Sequence, residues 1–131
     1  MIAVDTNVLL RYMLRDDEKQ FIASASFFRA RTMEDPAFVG LIVLCELTWS
    51  LRRRYGFSAQ QVSTVIATLF ETAEVQIEDE AEVSACLANA SAGAEIADAL
   101  IAYCAARAGC AATVTFDQDA AGRIPGMELL A

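Results

Sequence analysis

Four carboxylates in this chain each lie inside an apolar stretch, and no basic residue falls within two positions of any of them. Asp5 sits in Ile2-Ala3-Val4-Asp5-Thr6-Asn7-Val8-Leu9-Leu10 and Glu46 in Ile42-Val43-Leu44-Cys45-Glu46-Leu47-Thr48-Trp49. Asp98 sits in Ile96-Ala97-Asp98-Ala99-Leu100-Ile101 and Asp117 closes Ala112-Thr113-Val114-Thr115-Phe116-Asp117. Ionised Asp and Glu are almost never fully buried unless something pairs with them. With 10 Lys and Arg against 18 Asp and Glu, cationic partners are scarce. Carboxylates that converge in an apolar setting without cations usually share a hard divalent metal, Mg²⁺ or Mn²⁺. The chemistry this implies is metal-assisted work on phosphate.

Each acid also has a simpler explanation. Asp5 could cap the helix that follows it. Asp98 and Glu95, three residues apart on one helix face, could be first-turn acids facing the helix dipole. Asp117 could be an Asx-turn residue opening the loop Asp117-Gln118-Asp119. Glu46 is harder to explain this way. It lies opposite the stripe Leu44, Leu47 and Leu51, yet its neighbours there are Ile42, Val43 and Trp49, so this helix start is expected to be buried on all sides. Arg53 lies nearly two turns away, beyond i,i+4 reach. The run Arg52-Arg53-Arg54 reads first as a solvated helix end and second as a nucleic-acid backbone contact. Trp49 and the pair Phe27-Phe28 read as core or subunit-interface residues rather than base-stacking platforms.

Absences narrow the chemistry further. There is no histidine, which excludes Ser-His and Cys-His triads and acid–base pairs of the histidine ribonuclease type. Neither G-x-x-x-x-G-K-[ST] nor G-x-G-x-x-G occurs. Phosphoryl-aspartate chemistry would suit Asp5 as nucleophile, but it also uses a lysine at the end of a late strand. The only lysine is Lys19, in the acidic start of a helix. Cys45, Cys86, Cys104 and Cys110 form no C-x-x-C and have no histidine to complete a zinc set, so they read as small core hydrophobes. A net charge of −8 argues against a broad nucleic-acid-binding surface. No apolar run reaches the roughly 18 residues of a membrane span, and the N-terminus lacks the basic region of a signal peptide. The expected location is cytoplasmic, with no membrane association.

The elements that must position the acids follow from periodicity. A chain of 131 residues is expected to form one domain, residues 1–131. Short apolar runs at Ile2–Val4, Ala37–Val39, Val75–Ile77, Ala111–Phe116 and Gly126–Leu130 read as strands. Helices are expected at Thr6–Leu14, from Asp16 to about Arg31, at Leu41–Tyr55 up to Gly56, and from Ser58 to about Thr72. Ser58 with Gln61 makes a capping box at the start of the last of these. Two more helices are expected from Asp79 to about Asn89 and over Glu95–Ala108, with Gly109 closing the second. Strands alternating with helices imply an α/β domain with a mainly parallel sheet. Asp5 and Asp117 then fall at the carboxyl ends of strands, where ligands of open α/β sheets collect, and Glu46 and Asp98 in the first turns of helices, near the same edge if those helices run back from it.

Taken together, the four segments resemble the PIN domain, and within it the VapC-type toxins of bacterial toxin–antitoxin pairs. The similarity runs from Val4-Asp5-Thr6-Asn7-Val8-Leu9-Leu10-Arg11 through Leu44-Cys45-Glu46-Leu47 and Ala97-Asp98-Ala99-Leu100-Ile101. It ends in Thr115-Phe116-Asp117-Gln118-Asp119-Ala120-Ala121 and Pro125-Gly126-Met127. The resemblance implies a three-layer α/β/α fold and a Mg²⁺- or Mn²⁺-dependent endoribonuclease. It also implies a homodimer, inhibited by a small VapB-type antitoxin whose C-terminal segment crosses the site. Asp5, Glu46, Asp98 and Asp117 match the metal-binding acids, with Asp119 as an alternative to Asp117. Thr6, Asn7 and Thr115 match supporting polar residues. Glu95 stands where relatives often carry a second aspartate. Water activated by the metal would cleave RNA to leave 3′-hydroxyl and 5′-phosphate ends, with arginines such as Arg11, Arg15 or Arg53 at the rim. Two other functions fit the same residues: an antitoxin-binding regulatory scaffold with little catalysis, and an RNA-processing nuclease with no antitoxin.

Overall fold

A computed structural model describes residues 1–131. The chain forms β1 (Ile2–Ala3), α1 (Thr6–Leu14), α2 (Glu18–Arg29), β2 (Ala37–Val39), α3 (Leu41–Arg53) and α4 (Ala59–Glu71). It continues with β3 (Val75–Ile77), α5 (Glu80–Asn89), α6 (Ile96–Arg107), β4 (Thr113–Thr115), α7 (Gln118–Arg123) and β5 (Met127–Leu129). Every strand pair is parallel, as the alternation of strands and helices requires. The ladder is divided: β1-β2-β3 form one sheet and β4-β5 another. No helix is long and apolar enough to cross a membrane.

Local chemistry explains the helix boundaries. Ser58 accepts from the Gln61 backbone while the Gln61 side chain accepts from Ser58 N–H, the reciprocal capping box that starts α4. Asp17 caps α2 by accepting from Gln20 N–H at 3.0 Å. Gly109, with φ of 97°, lets the chain leave α6 in a conformation that side-chain-bearing residues avoid. One helix was not expected from the sequence. The stretch after Asp117 coils into α7, with Asp117 as its N-cap accepting from Asp119 and Ala120 N–H groups.

The main core joins the three-stranded sheet to its helices. Leu9 and Leu10 of α1, Val39 of β2, Ile77 of β3 and Leu44, Leu47 and Leu51 of α3 are all essentially inaccessible. Fully burying a side chain of this size contributes about 1.5–3 kcal/mol, which locks α3 by its leucine stripe. A second, smaller cluster (Ala99, Ala102, Ala120, Ile124 and Met127) seats α7 and β5 on α6.

The other side of α3 overturns an expectation. Ile42 is 86% exposed and Trp49 55%, and Glu46 between them is exposed, so this helix start is not buried all round. One leucine stripe suffices to hold the helix, which leaves the opposite apolar face open. The cysteines also divide. Cys45, Cys86 and Cys104 are half-buried thiols, whereas Cys110 is exposed rather than in the core.

Candidate functional site

Parallel pairing aligns the strand ends that carry acids. The register pairs Ala3 with Phe38 and Phe38 with Gln76; two residues further on, Asp5, Gly40 and Glu78 fall in one row beyond the carboxyl edge. Each has a local task there. Asp5 caps α1, its Oδ1 accepting from Thr6 N–H at 2.8 Å. Gly40 precedes α3 and has no side chain to cap it. Glu78 supplies the missing cap from the neighbouring strand, its Oε1 accepting from Leu41 N–H at 3.1 Å. Glu78 was not singled out from the sequence, although it follows a short strand as directly as Asp117 does.

Helices α3 and α6 run antiparallel: Arg52 at the end of α3 grips Glu95 just before α6, while Glu78 accepts both from Leu41 N–H at the start of α3 and from Arg107 at the end of α6. Between them opens a groove of about 1220 Å³. Glu46, Asp98, Asp117 and Asp119 all line it, together with Ile42, Trp49 and Ile101. Arg52, Arg53 and Glu95 stand at one end, and Arg107 and Glu78 at the other. Three of the four sequence-predicted acids therefore meet on one groove, and Asp119 joins them. Asp5 does not line it.

None of Asp5, Glu46, Asp98 or Asp117 takes part in a salt bridge, in line with the scarcity of cations around them. Only Asp98 is sheltered; Asp5, Glu46 and Asp117 are exposed, so the expected cost of burying a charge applies to Asp98 alone. Its carboxyl titrates above the ordinary aspartate range, first through burial and then through the charges of Asp117 and Glu95. The neighbouring Cys45 thiol is pushed up by its own burial, then by Cys104 and Asp98.

The supporting residues separate. Thr115 Oγ1 accepts from Asp117 N–H at 3.0 Å, fixing the turn that aims Asp117. The hydroxyl of Thr6, beside Asp5, is the one buried side-chain polar atom without a partner, whereas Asn7 is exposed. Asp119 is tied to Arg123 at 2.9 Å, and Asp117 keeps one carboxylate oxygen free after Oδ1 accepts two backbone N–H groups. Of the expected rim arginines only Arg53 lines the groove. Arg11 is turned to Asp16 and Gln20, and Arg15 to Glu18.

Hard oxygen donors, a groove shared by four of them and an orphaned hydroxyl beside a fifth fit a hard divalent cation in chemistry. The spacing is looser than a closed ligand shell: no three acids or thiols stand near enough to grip an ion as they are. Glu95 is not available to help, since both its oxygens are taken by Arg52.

A search of curated proteins returned no match. The family model described as the PIN domain matches residues 2–125, from the first strand through the last helix, and so includes all four acids on the strand and helix ends just described. PIN domains are generally nucleases that use divalent metals, which agrees with the donor chemistry of the groove, and the chain belongs to the PIN domain family.

Proposed function

We propose that the chain is a single-domain Mg²⁺- or Mn²⁺-dependent endoribonuclease, residues 1–131, and the VapC-type toxin of a type II toxin–antitoxin pair in the cytoplasm. The observation that carries this reading is the meeting of Glu46, Asp98 and Asp117 on one groove, free of every salt bridge. These three, with Asp5, would hold the ion. Asp117 is preferred to Asp119 as a ligand because Arg123 already engages Asp119. When bound, the ion supplies charge neutralisation at the scissile phosphate and a lowered pKa for attacking water. The protein's own part is positional. Thr115 fixes Asp117, Glu78 fixes the start of α3, and the Arg52–Glu95 pair fixes the start of α6 that carries Asp98. Attack by water rather than by the ribose 2′-hydroxyl leaves 3′-hydroxyl and 5′-phosphate ends.

The apolar lining Ile42, Trp49 and Ile101 beside acids suits a VapB-type antitoxin segment that brings apolar anchors and a basic side chain. Exposed Val114, Phe116, Leu129 and Leu130 on and beside the β4–β5 sheet support association into a homodimer. One observation favours the scaffold reading with little catalysis: no three acids converge without movement. Mapping the RNA ends made by the pure protein with Mn²⁺ and with EDTA separates the two. Metal-dependent 5′-phosphate ends support the nuclease; intact RNA under both conditions leaves the scaffold.

A further inference from the structure

One large side chain in the groove plays no part in holding the ion or fixing the helices. Trp49 is 55% exposed, and no aromatic ring or guanidinium of the protein packs on its face. An indole left open in this way loses apolar burial that a core or capping position would have supplied. Its neighbours are specific. Glu46 precedes it by three residues and Arg53 follows by four, so all three lie on one helix face and all line the groove. At about 1.5 Å per residue, the Trp49 backbone lies roughly 4.5 Å along the axis from that of Glu46 and about 6 Å from that of Arg53. Asp98 and Ile101 of α6 line the groove with them. Arg53 is exposed and enters no salt bridge, unlike Arg52 and Arg107 in the same groove.

We propose that Trp49 is the platform on which the nucleobase flanking the scissile phosphate stacks, and that Arg53 takes the adjoining phosphate. The inference rests on the nuclease reading and deepens it, by assigning substrate positioning to two residues outside the acid set. An aromatic face accepts any base, and a guanidinium one turn away offers charge to the backbone; the combination is a stacking surface with a phosphate contact. A base with its phosphate uses both. The platform also addresses the acidity of the chain, because stacking holds RNA beside the acids without a basic surface.

Trp49 is the only tryptophan, so its emission reports on this position alone. The experiment mixes protein and Mg²⁺ with a single-stranded oligoribonucleotide in a stopped-flow fluorimeter, against an abasic oligomer with the same number of phosphates. The base-bearing strand should quench the emission and the abasic one should not. In steady-state cleavage, Trp49→Leu should raise KM by about 5- to 150-fold with little change in kcat, and Trp49→Phe should restore most of the loss. Both variants should keep the wild-type Mn²⁺-induced rise in melting temperature, which shows the acids intact. Equal quenching by the two oligomers, or an unchanged KM in Trp49→Leu, overturns the platform. So does an emission spectrum that shifts on diluting the protein without RNA, since that places Trp49 in a subunit interface. Quenching without any cleavage by wild type would sink the nuclease reading and leave base stacking standing; cleavage without quenching would sink the platform alone.

Discussion

The ion pair Arg52–Glu95 provides a quantitative test of how the site is held. Arg52 donates to Glu95 at 2.5, 2.9 and 3.0 Å and, through Nη1, to the Phe57 carbonyl at 2.9 Å. It thereby ties the end of α3, the following loop and the first residue before α6. The two side chains remain 36% and 37% exposed, so solvent screening keeps the pair near the upper end of the exposed range, about 1 kcal/mol, rather than at the value of a buried pair. The Phe57 hydrogen bond adds about another 1 kcal/mol. Arg52→Met should therefore cost about 2 kcal/mol, and Glu95→Gln about half that. A double-mutant cycle by urea unfolding in EDTA should give a coupling of about 1 kcal/mol, and a value under about 0.3 kcal/mol would show that the two side chains act independently. The same variants test Glu95 as a ligand. With both oxygens engaged by Arg52, Glu95→Gln should leave Mn²⁺ affinity within about twofold of wild type by calorimetry, well under the tenfold that about 1.4 kcal/mol represents. A tenfold or larger loss would refute the account, because it would put Glu95 in the metal shell.

Other outcomes follow from the same geometry. Asp5→Asn, Glu46→Gln, Asp98→Asn and Asp117→Asn should each abolish metal-dependent RNA cleavage with the fold retained by circular dichroism, and full activity in any one removes that residue from the site. Asp98 has a raised folded pKa, so its ionisation opposes folding: in EDTA, stability should fall as pH rises from the unfolded aspartate value through the folded one. Asp98→Asn should flatten that part of the pH–stability curve and raise apo stability at neutral pH; an unchanged curve would contradict the assignment. Mn²⁺ at about a hundredfold excess over Kd should stabilise wild type by about 2.7 kcal/mol and Asp98→Asn by clearly less, and equal shifts in melting temperature would take Asp98 out of the metal shell. Sedimentation at micromolar concentration should give twice the 14.2 kDa monomer mass; a monomer would show that the exposed apolar side chains serve something else.

Periodicity and caps made most of the secondary structure legible, because they are local. The Ser58–Gln61 box, Asp17 ahead of α2 and Gly109 after α6 all act where their chemistry says they should. The missing helix α7 is short and contains Gly122, which hides its pattern. Its available signal was Asp117 as a cap with Arg123 in the last turn. What the sequence could not convey was which apolar face the chain itself would cover. Both faces of α3 carry large apolar residues, but only the leucine stripe enters the main core, so Ile42 and Trp49 remain open and Trp49 is not a core residue. Long-range partners were equally hidden. Glu78 capping α3 and Arg52 gripping Glu95 join residues 37 and 43 positions apart, which no local pattern specifies.

The acidity that first argued against RNA takes a different meaning once the groove is resolved. Glu46, Glu78, Glu95, Asp98, Asp117 and Asp119 line it with Arg52, Arg53 and Arg107, six formal negative charges against three positive. Of those arginines, two are already neutralised by carboxylates of the same groove, leaving Arg53 as the free cation. Such a lining repels a phosphate backbone until divalent cations enter it, since each brings two positive charges to the place where the acids are densest. On the proposed reading, metal would control RNA approach as well as the chemistry expected of a PIN domain. A net charge of −8 is then compatible with a nuclease whose contacts with RNA are confined to one groove, because counterion release scales with the few phosphates touched there.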